Sequence, residues 1–193
     1  MQPSYKHYLK IIKNTCTGHE EPVTIPSEEL ADLARLAEEH CTVPFVLSSF
    51  RGTPFYSSML QRTRSMMLNY YQIDQFTRHT VSLLEDNGID CILLKGISLA
   101  SCYPVPDLDL YISRKSDVSK AQRLLESHGY IAENELSDHH LTYHYTFPKT
   151  GRRFLLELHY RVVGMYQYER ANQIVDQVYS FENLVPVSQT IND

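Results

Sequence analysis

In the first part of the chain, apolar residues recur at the three- and four-residue spacing of helices. Leu30, Leu33, Ala34, Ala37 and Cys41 fall on one face behind Ser27-Glu28-Glu29, a capping residue followed by acidic residues suited to a first turn. Pro44 sets the end of that helix. After the turn-rich residues 51–54, the spacing predicts a long helix over 56–86, with Met59, Met66, Tyr70, Ile73, Phe76 and Leu84 near one stripe. Asn87-Gly88 closes it as a left-handed cap. A stripe of methionine and aromatic residues at this spacing reads as core rather than as a cofactor box.

Beyond this turn the period changes. Residues 89–94 form a short apolar strand, 97–102 a brief helix, and 108–112 alternate as a second strand. Ser116 caps a further helix whose buried stripe is Val118, Ala121, Leu124, Leu125 and His128, with Gly129 closing it. Two strands come next, 139–147 and 153–162, joined by Pro148-Lys149-Thr150-Gly151, which has the chemistry of a hairpin turn. One more helix falls in the weakly patterned residues after Ala171. Strand, helix, strand, helix and hairpin describe an α+β fold, a mixed β-sheet with flanking helices. The expected organisation is an N-terminal helical subdomain over 1–87, an α/β core over 88–170 and a tail over 171–193.

The 193 residues suffice for one domain with a helical extension, and 42% apolar against 21% charged residues marks a globular chain. A formal net charge of −5 provides no long-range basic field, so a large nucleic-acid partner is disfavoured. Apolar runs such as Cys91-Ile92-Leu93-Leu94 fall far short of the roughly 20 residues a spanning helix needs. Residues 1–14 carry lysines and tyrosines throughout and lack the apolar stretch of an export signal. The four cysteines stand at wide, irregular spacings without a Cys-x-x-Cys pair. A cytoplasmic protein with reduced thiols and no membrane partner is expected.

Asp107 and Asp109 stand two apart on a predicted strand, so both carboxylates share a face while Leu108 and Leu110 point to the core. Neighbouring carboxylates repel unless a cation neutralises them, and oxygen-only ligands suit Mg²⁺ or Mn²⁺. Glu157 lies within the apolar strand Phe154-Leu155-Leu156-Glu157-Leu158-His159, where an ionisable side chain needs a partner or a function, and His159 shares its face. If that strand lies beside the one carrying the aspartates, Glu157 completes a three-carboxylate site for two metal ions of the kind used in phosphoryl displacement. The alternative for Glu157 is an ion pair with Arg152, Arg153 or Arg161. Leu94-Lys95-Gly96-Ile97-Ser98 runs from a strand into a helix, where the backbone amides of Gly96 and Ile97 and the Ser98 hydroxyl would face a phosphate beside the Lys95 charge. A purely structural turn is the other reading of that segment.

In combination these segments resemble the uncharacterised nucleotidyltransferase family of bacteria, within the superfamily of polymerase-beta-like enzymes. The resemblance runs over residues 30–166. It rests on Leu93-Leu94-Lys95-Gly96, Asp107-Leu108-Asp109-Leu110-Tyr111-Ile112, Ala121 with Leu124-Leu125-Glu126-Ser127-His128-Gly129-Tyr130, and Leu156-Glu157-Leu158-His159-Tyr160. It implies a nucleotidyltransferase fold in which Asp107 and Asp109 bind Mg²⁺ and the nucleotide phosphates. Glu157 would hold the second metal and help to deprotonate the acceptor hydroxyl. Lys95, Gly96, Ser98 and His159 are assigned to the nucleotide. The implied reaction moves a nucleoside monophosphate from a nucleoside triphosphate to an acceptor (a protein, a tRNA or a small molecule) and releases pyrophosphate.

Two rivals remain. The first is an inactive nucleotidyltransferase-like domain that binds nucleotide or protein, suggested by Tyr103-Pro104-Val105-Pro106 where relatives carry an Arg and a Ser. The second is a metal-binding protein or hydrolase built on His139, His140, His144 and His159. In a strand, His140 and His144 share a face and His139 points the other way. The 14 tyrosines form no clustered stacking platform, and Tyr111, two past Asp109, is the one placed to touch a base.

Overall fold

Helix-forming runs dominate the chain before residue 90, and strand alternation governs much of the remainder. A computed structural model describes residues 3–18, 23–94, 105–112, 114–133, 137–180 and 183. Its helices are α1 (Pro3–Thr17), α2 (Leu30–Glu39), α3 (Val43–Val46), α4 (Tyr56–Glu85), α5 (Lys115–Ser127) and α6 (Glu169–Val178). Its strands are β1 (Cys91–Leu94), β2 (Asp107–Ile112), β3 (Ile131–Ala132), β4 (His140–Thr146) and β5 (Arg153–His159). Two compact units divide the chain, the first reaching Gln72 and the second beginning at Ile73, so α4 carries residues of both. Among the described residues no helix is long and apolar enough to cross a membrane.

The first unit is built on the periodic face read from the sequence. Leu33, Ala34, Leu36 and Ala37 of α2 join Tyr8, Ile11, Val43, Val46, Phe50, Met59 and Met66 in one core. Pro44 does not end the helical run here. It occupies the first turn of α3, where its missing amide hydrogen costs nothing. Ser27 forms no capping bond and instead opens a 3₁₀ turn, Ser27–Glu29, that leads into α2.

In the second unit, α4 and α5 end in the same way. The Ile89 amide donates to the Leu84 carbonyl and the Gly88 amide to the Glu85 carbonyl, with Gly88 at φ +67°. Tyr130 and Gly129 repeat the pattern on Leu125 and Glu126. This six-to-one, five-to-two closure satisfies carbonyls that α-helices otherwise leave open, and it turns the chain so that buried Ile89 and Tyr130 pack near buried Leu84 and Leu125. Ile89 therefore belongs to the cap, and the strand starts at Cys91. His128 leaves the predicted buried stripe: it is exposed at the helix end, where Nδ1 donates to the Leu124 carbonyl. Helix α5 begins one residue before Ser116, and the two-residue strand β3 has no counterpart in the sequence pattern. The expected helix over 97–102 lies outside the described residues.

The sheet has the order β1-β2-β5-β4-β3. β2 and β5 run parallel, while β1, β4 and β3 join antiparallel. The fold is thus α+β with a mixed sheet. One sheet face carries Leu108, Leu110, Ile112, Phe154, Leu156, Leu158 and Tyr143, all buried. Phe76 of α4 stacks on Phe154 with ring centres 4.9 Å apart, and Tyr130 on Tyr145 at 4.5 Å. Each large apolar side chain so enclosed contributes on the order of 1.5–3 kcal/mol. The opposite face carries Asp107, Asp109, Glu157, His159, His140 and Thr142, because residues opposite one another in neighbouring strands share a face.

Candidate active site

The parallel pairing of β2 and β5 sets Asp109 level with Glu157 and Asp107 level with Leu155. Strands in a sheet lie about 4.8 Å apart, so the two acidic side chains leave the same face side by side. Asp109 is 4% exposed and His159 1%, whereas the Glu157 side chain keeps 21%. A nearly dry carboxylate next to a second one needs positive charge close by.

The His159 imidazole stands beside both carboxylates. Its Nδ1 faces the Arg161 carbonyl oxygen at 3.3 Å, and since a carbonyl only accepts, Nδ1 carries the hydrogen. Nε2 consequently points the other way, 2.9 Å from Asp109 Oδ1 and 3.3 Å from Glu157 Oε2. Asp109, Glu157 and His159 offer ligand atoms all within 4.8 Å of one another. Two carboxylates and one imidazole at this spacing can hold a divalent ion.

A second group meets the first at His159. His140 Nδ1 stands 3.9 Å from Glu157 Oε2 and 3.0 Å from His139 Nε2. Asp138 Oδ1 lies 2.7 Å from His139 Nδ1, and Asp138 Oδ2 accepts the Met165 amide at 2.8 Å. The hydrogen bond from His139, and then the one from the Met165 amide, hold the Asp138 carboxyl below its ordinary range.

Asp107 lies two positions before Asp109 on the same face, half-buried, at the start of β2. Lys95, Gly96 and Ser98 lie outside the described residues. The side chains next to Glu157 are those of His159 and His140, while Arg161 binds Asp176 at 2.5 Å. Strict strand alternation turns His139 away from its neighbours, and the structure corrects this. β4 begins at His140, so His139 sits in a bend where the two-residue alternation of strands does not hold. No period in the sequence marks Asp138, and the unbroken polar run Ser137-Asp138-His139-His140 is its visible signal. His144 takes Glu133 as its partner. Tyr111 lines a hollow of about 780 Å³ together with Arg114, Lys115, Tyr160, Arg161 and Met165, and burial, followed by Asp176, pushes its hydroxyl pKa up.

No curated protein matches the chain. The family described as uncharacterised nucleotidyltransferase matches residues 26–188, a stretch that includes both helical caps, the whole sheet and each of the acidic residues named above. With the aspartate pair on one strand and the Glu157-Leu158-His159 strand parallel beside it inside that stretch, the chain belongs to the uncharacterised nucleotidyltransferase family.

Proposed function

We propose that the protein transfers a nucleoside monophosphate from a nucleoside triphosphate to an acceptor hydroxyl, using a divalent metal at Asp107, Asp109 and Glu157. The observation that carries this reading is the level register of Asp109 with Glu157 on parallel strands. The Asp109 and Glu157 carboxylates offer oxygens within 4.8 Å of one another, with Asp107 on the same face of β2, and oxygen donors of this kind fit a hard divalent ion, Mg²⁺ or Mn²⁺. Bound there, such an ion would neutralise phosphate charge as it develops.

The chain's own groups would act around it. The acceptor oxygen attacks the α-phosphorus in line, its proton passes to Glu157, and the bond to pyrophosphate breaks. His159, locked through Nδ1, orients Asp109 and faces the nucleotide phosphates from within the sheet. Lys95, Gly96 and Ser98 are assigned to the triphosphate. The hollow beside Tyr111, about 780 Å³ and edged by Arg114 and Lys115, falls in the size range of small-molecule sites and would receive the remainder of a substrate.

Calorimetric titration with each nucleoside triphosphate, with and without Mg²⁺ or Mn²⁺, tests the proposal. Metal-dependent binding is expected in the wild type. It is lost in Asp107→Asn with Asp109→Asn while circular dichroism stays unchanged. A double variant that still binds overturns the assignment. Metal-dependent binding in the wild type, without release of pyrophosphate toward any acceptor, turns the reading to a nucleotide-binding module.

A further inference from the structure

His139, His140 and His159 bring three imidazoles from a bend and two strands to one place. Their ligand atoms all lie within 4.8 Å of one another, in a nitrogen group that shares His159 with the carboxylate group beside it. Imidazole nitrogen suits zinc, copper, iron or nickel, whereas oxygen ligands suit magnesium and manganese. We infer that His139, His140 and His159, with Glu157 as fourth donor, form a binding site for a zinc-type divalent transition-metal ion.

The geometry supports this in three ways. The first is spacing. On a tetrahedral zinc ion with bonds of about 2.0–2.1 Å, donor atoms stand roughly 3.3 Å apart. Here His139 Nε2 is 3.0 Å from His140 Nδ1, His159 Nε2 is 3.3 Å from Glu157 Oε2, and His140 Nδ1 is 3.9 Å from that same oxygen.

The second is ring orientation. Metal-binding histidines characteristically donate their other ring hydrogen to a carboxylate or a carbonyl. His139 Nδ1 faces Asp138 Oδ1 at 2.7 Å, which turns the Nε2 lone pair inward, and His159 Nδ1 donates to the Arg161 carbonyl, which does the same for its Nε2.

The third is support from behind. The Tyr160 and Arg161 amides both donate to the His139 carbonyl oxygen, at 3.0 and 3.1 Å, and Met165 holds Asp138. Gly164 passes so close that an added Cβ would stand 3.3 Å from Asp138 Oδ1 and 3.5 Å from His139 Nδ1. The bend carrying His139 is thereby bound to the end of β5 that carries His159.

The inference shares His159 and Glu157 with the nucleotide proposal and adds His139 and His140, which that proposal does not use, and its test is separate. The full chain is titrated with Zn²⁺ alone by calorimetry and with Co²⁺ alone by visible absorption, where a four-coordinate nitrogen-rich site gives an intense band. One ion per chain and that band are expected. His139→Ala with His140→Ala removes both. Asp138→Asn, a change to an exposed side chain, weakens Zn²⁺ binding about 10- to 100-fold, as loss of a group behind a ligand does, and it remains informative if the double variant does not fold. The cobalt band persists in Asp107→Asn, which alters an oxygen ligand alone, so failure of either reading is visible by itself. A wild type that takes up neither ion, or a histidine double variant that keeps the band, overturns the inference.

Discussion

Cys91 and Cys16 carry the same thiol in opposite settings. Burial, reinforced by the nearby charges of Glu85 and Asp90, pushes the Cys91 thiol up to about 12, while Cys16 is exposed on α1. Only the thiolate is nucleophilic, so at pH 8 Cys91 resists alkylation while Cys16 is modified. Peptide mapping after timed iodoacetamide treatment checks this, and equal labelling of the two refutes it. Leu110, fully buried on β2 between β1 and β5, makes the other residue-scale test. Leu110→Ala should cost about 2–5 kcal/mol in urea denaturation, since a cavity replaces packed side chain. At this scale the acidic residues are legible: Asp107, Asp109 and Glu157 stand out as charges within otherwise apolar strands. The partners of His139 are not, because a side chain in a bend follows no period.

At the scale of elements, the closures of α4 and α5 are the clearest carry-over from sequence to structure. Asn87-Gly88 and His128-Gly129 announce them, and Gly88 and Gly129 adopt φ of +67° and +87°. An alanine Cβ at Gly88 would meet only Lys120 Nζ at 3.9 Å, an ordinary contact. Gly88→Ala therefore tests conformation alone, and a loss of about 1 kcal/mol in chemical denaturation is expected from the left-handed penalty. The cap of α5 also sets Tyr130 Oη 2.8 Å from Thr80 Oγ1, which bonds the Phe76 carbonyl as well. Tyr130→Phe should cost on the order of 1 kcal/mol, the usual net value of one buried hydrogen bond, and a neutral result would show that Thr80 is satisfied by the helix alone. The two-residue strand β3 escapes prediction because it is shorter than any period and exists only where β4 offers it hydrogen bonds.

For the whole molecule, the response to acid includes a contribution from His79. Burial, and then the neighbouring charge of His128, lower the His79 pKa below its ordinary 6.5. The unfolded chain takes up a proton near pH 6.5 that the folded protein takes up only at lower pH. The His79 contribution to stability is therefore complete above that value and is lost as pH falls through the lower folded one. His79→Phe keeps an aromatic ring beside Tyr145 and Phe147, whose centres lie 5.4 and 5.8 Å away. It should flatten the dependence of the urea midpoint on pH between 7 and 5, and an unchanged slope refutes the assignment. The α+β class, the long helix, the glycine caps and the sharing of one strand face by Asp107 and Asp109 were determined by the sequence itself. Each arises from a period or a turn within a few neighbouring residues. The tertiary structure alone decided that β5 lies parallel to β2 with Glu157 level with Asp109, that His159 turns between them, and that Asp138, His139 and His140 gather beside Glu157. Strand order and register are settled by which apolar faces can be buried together across the chain, and no local pattern carries that information.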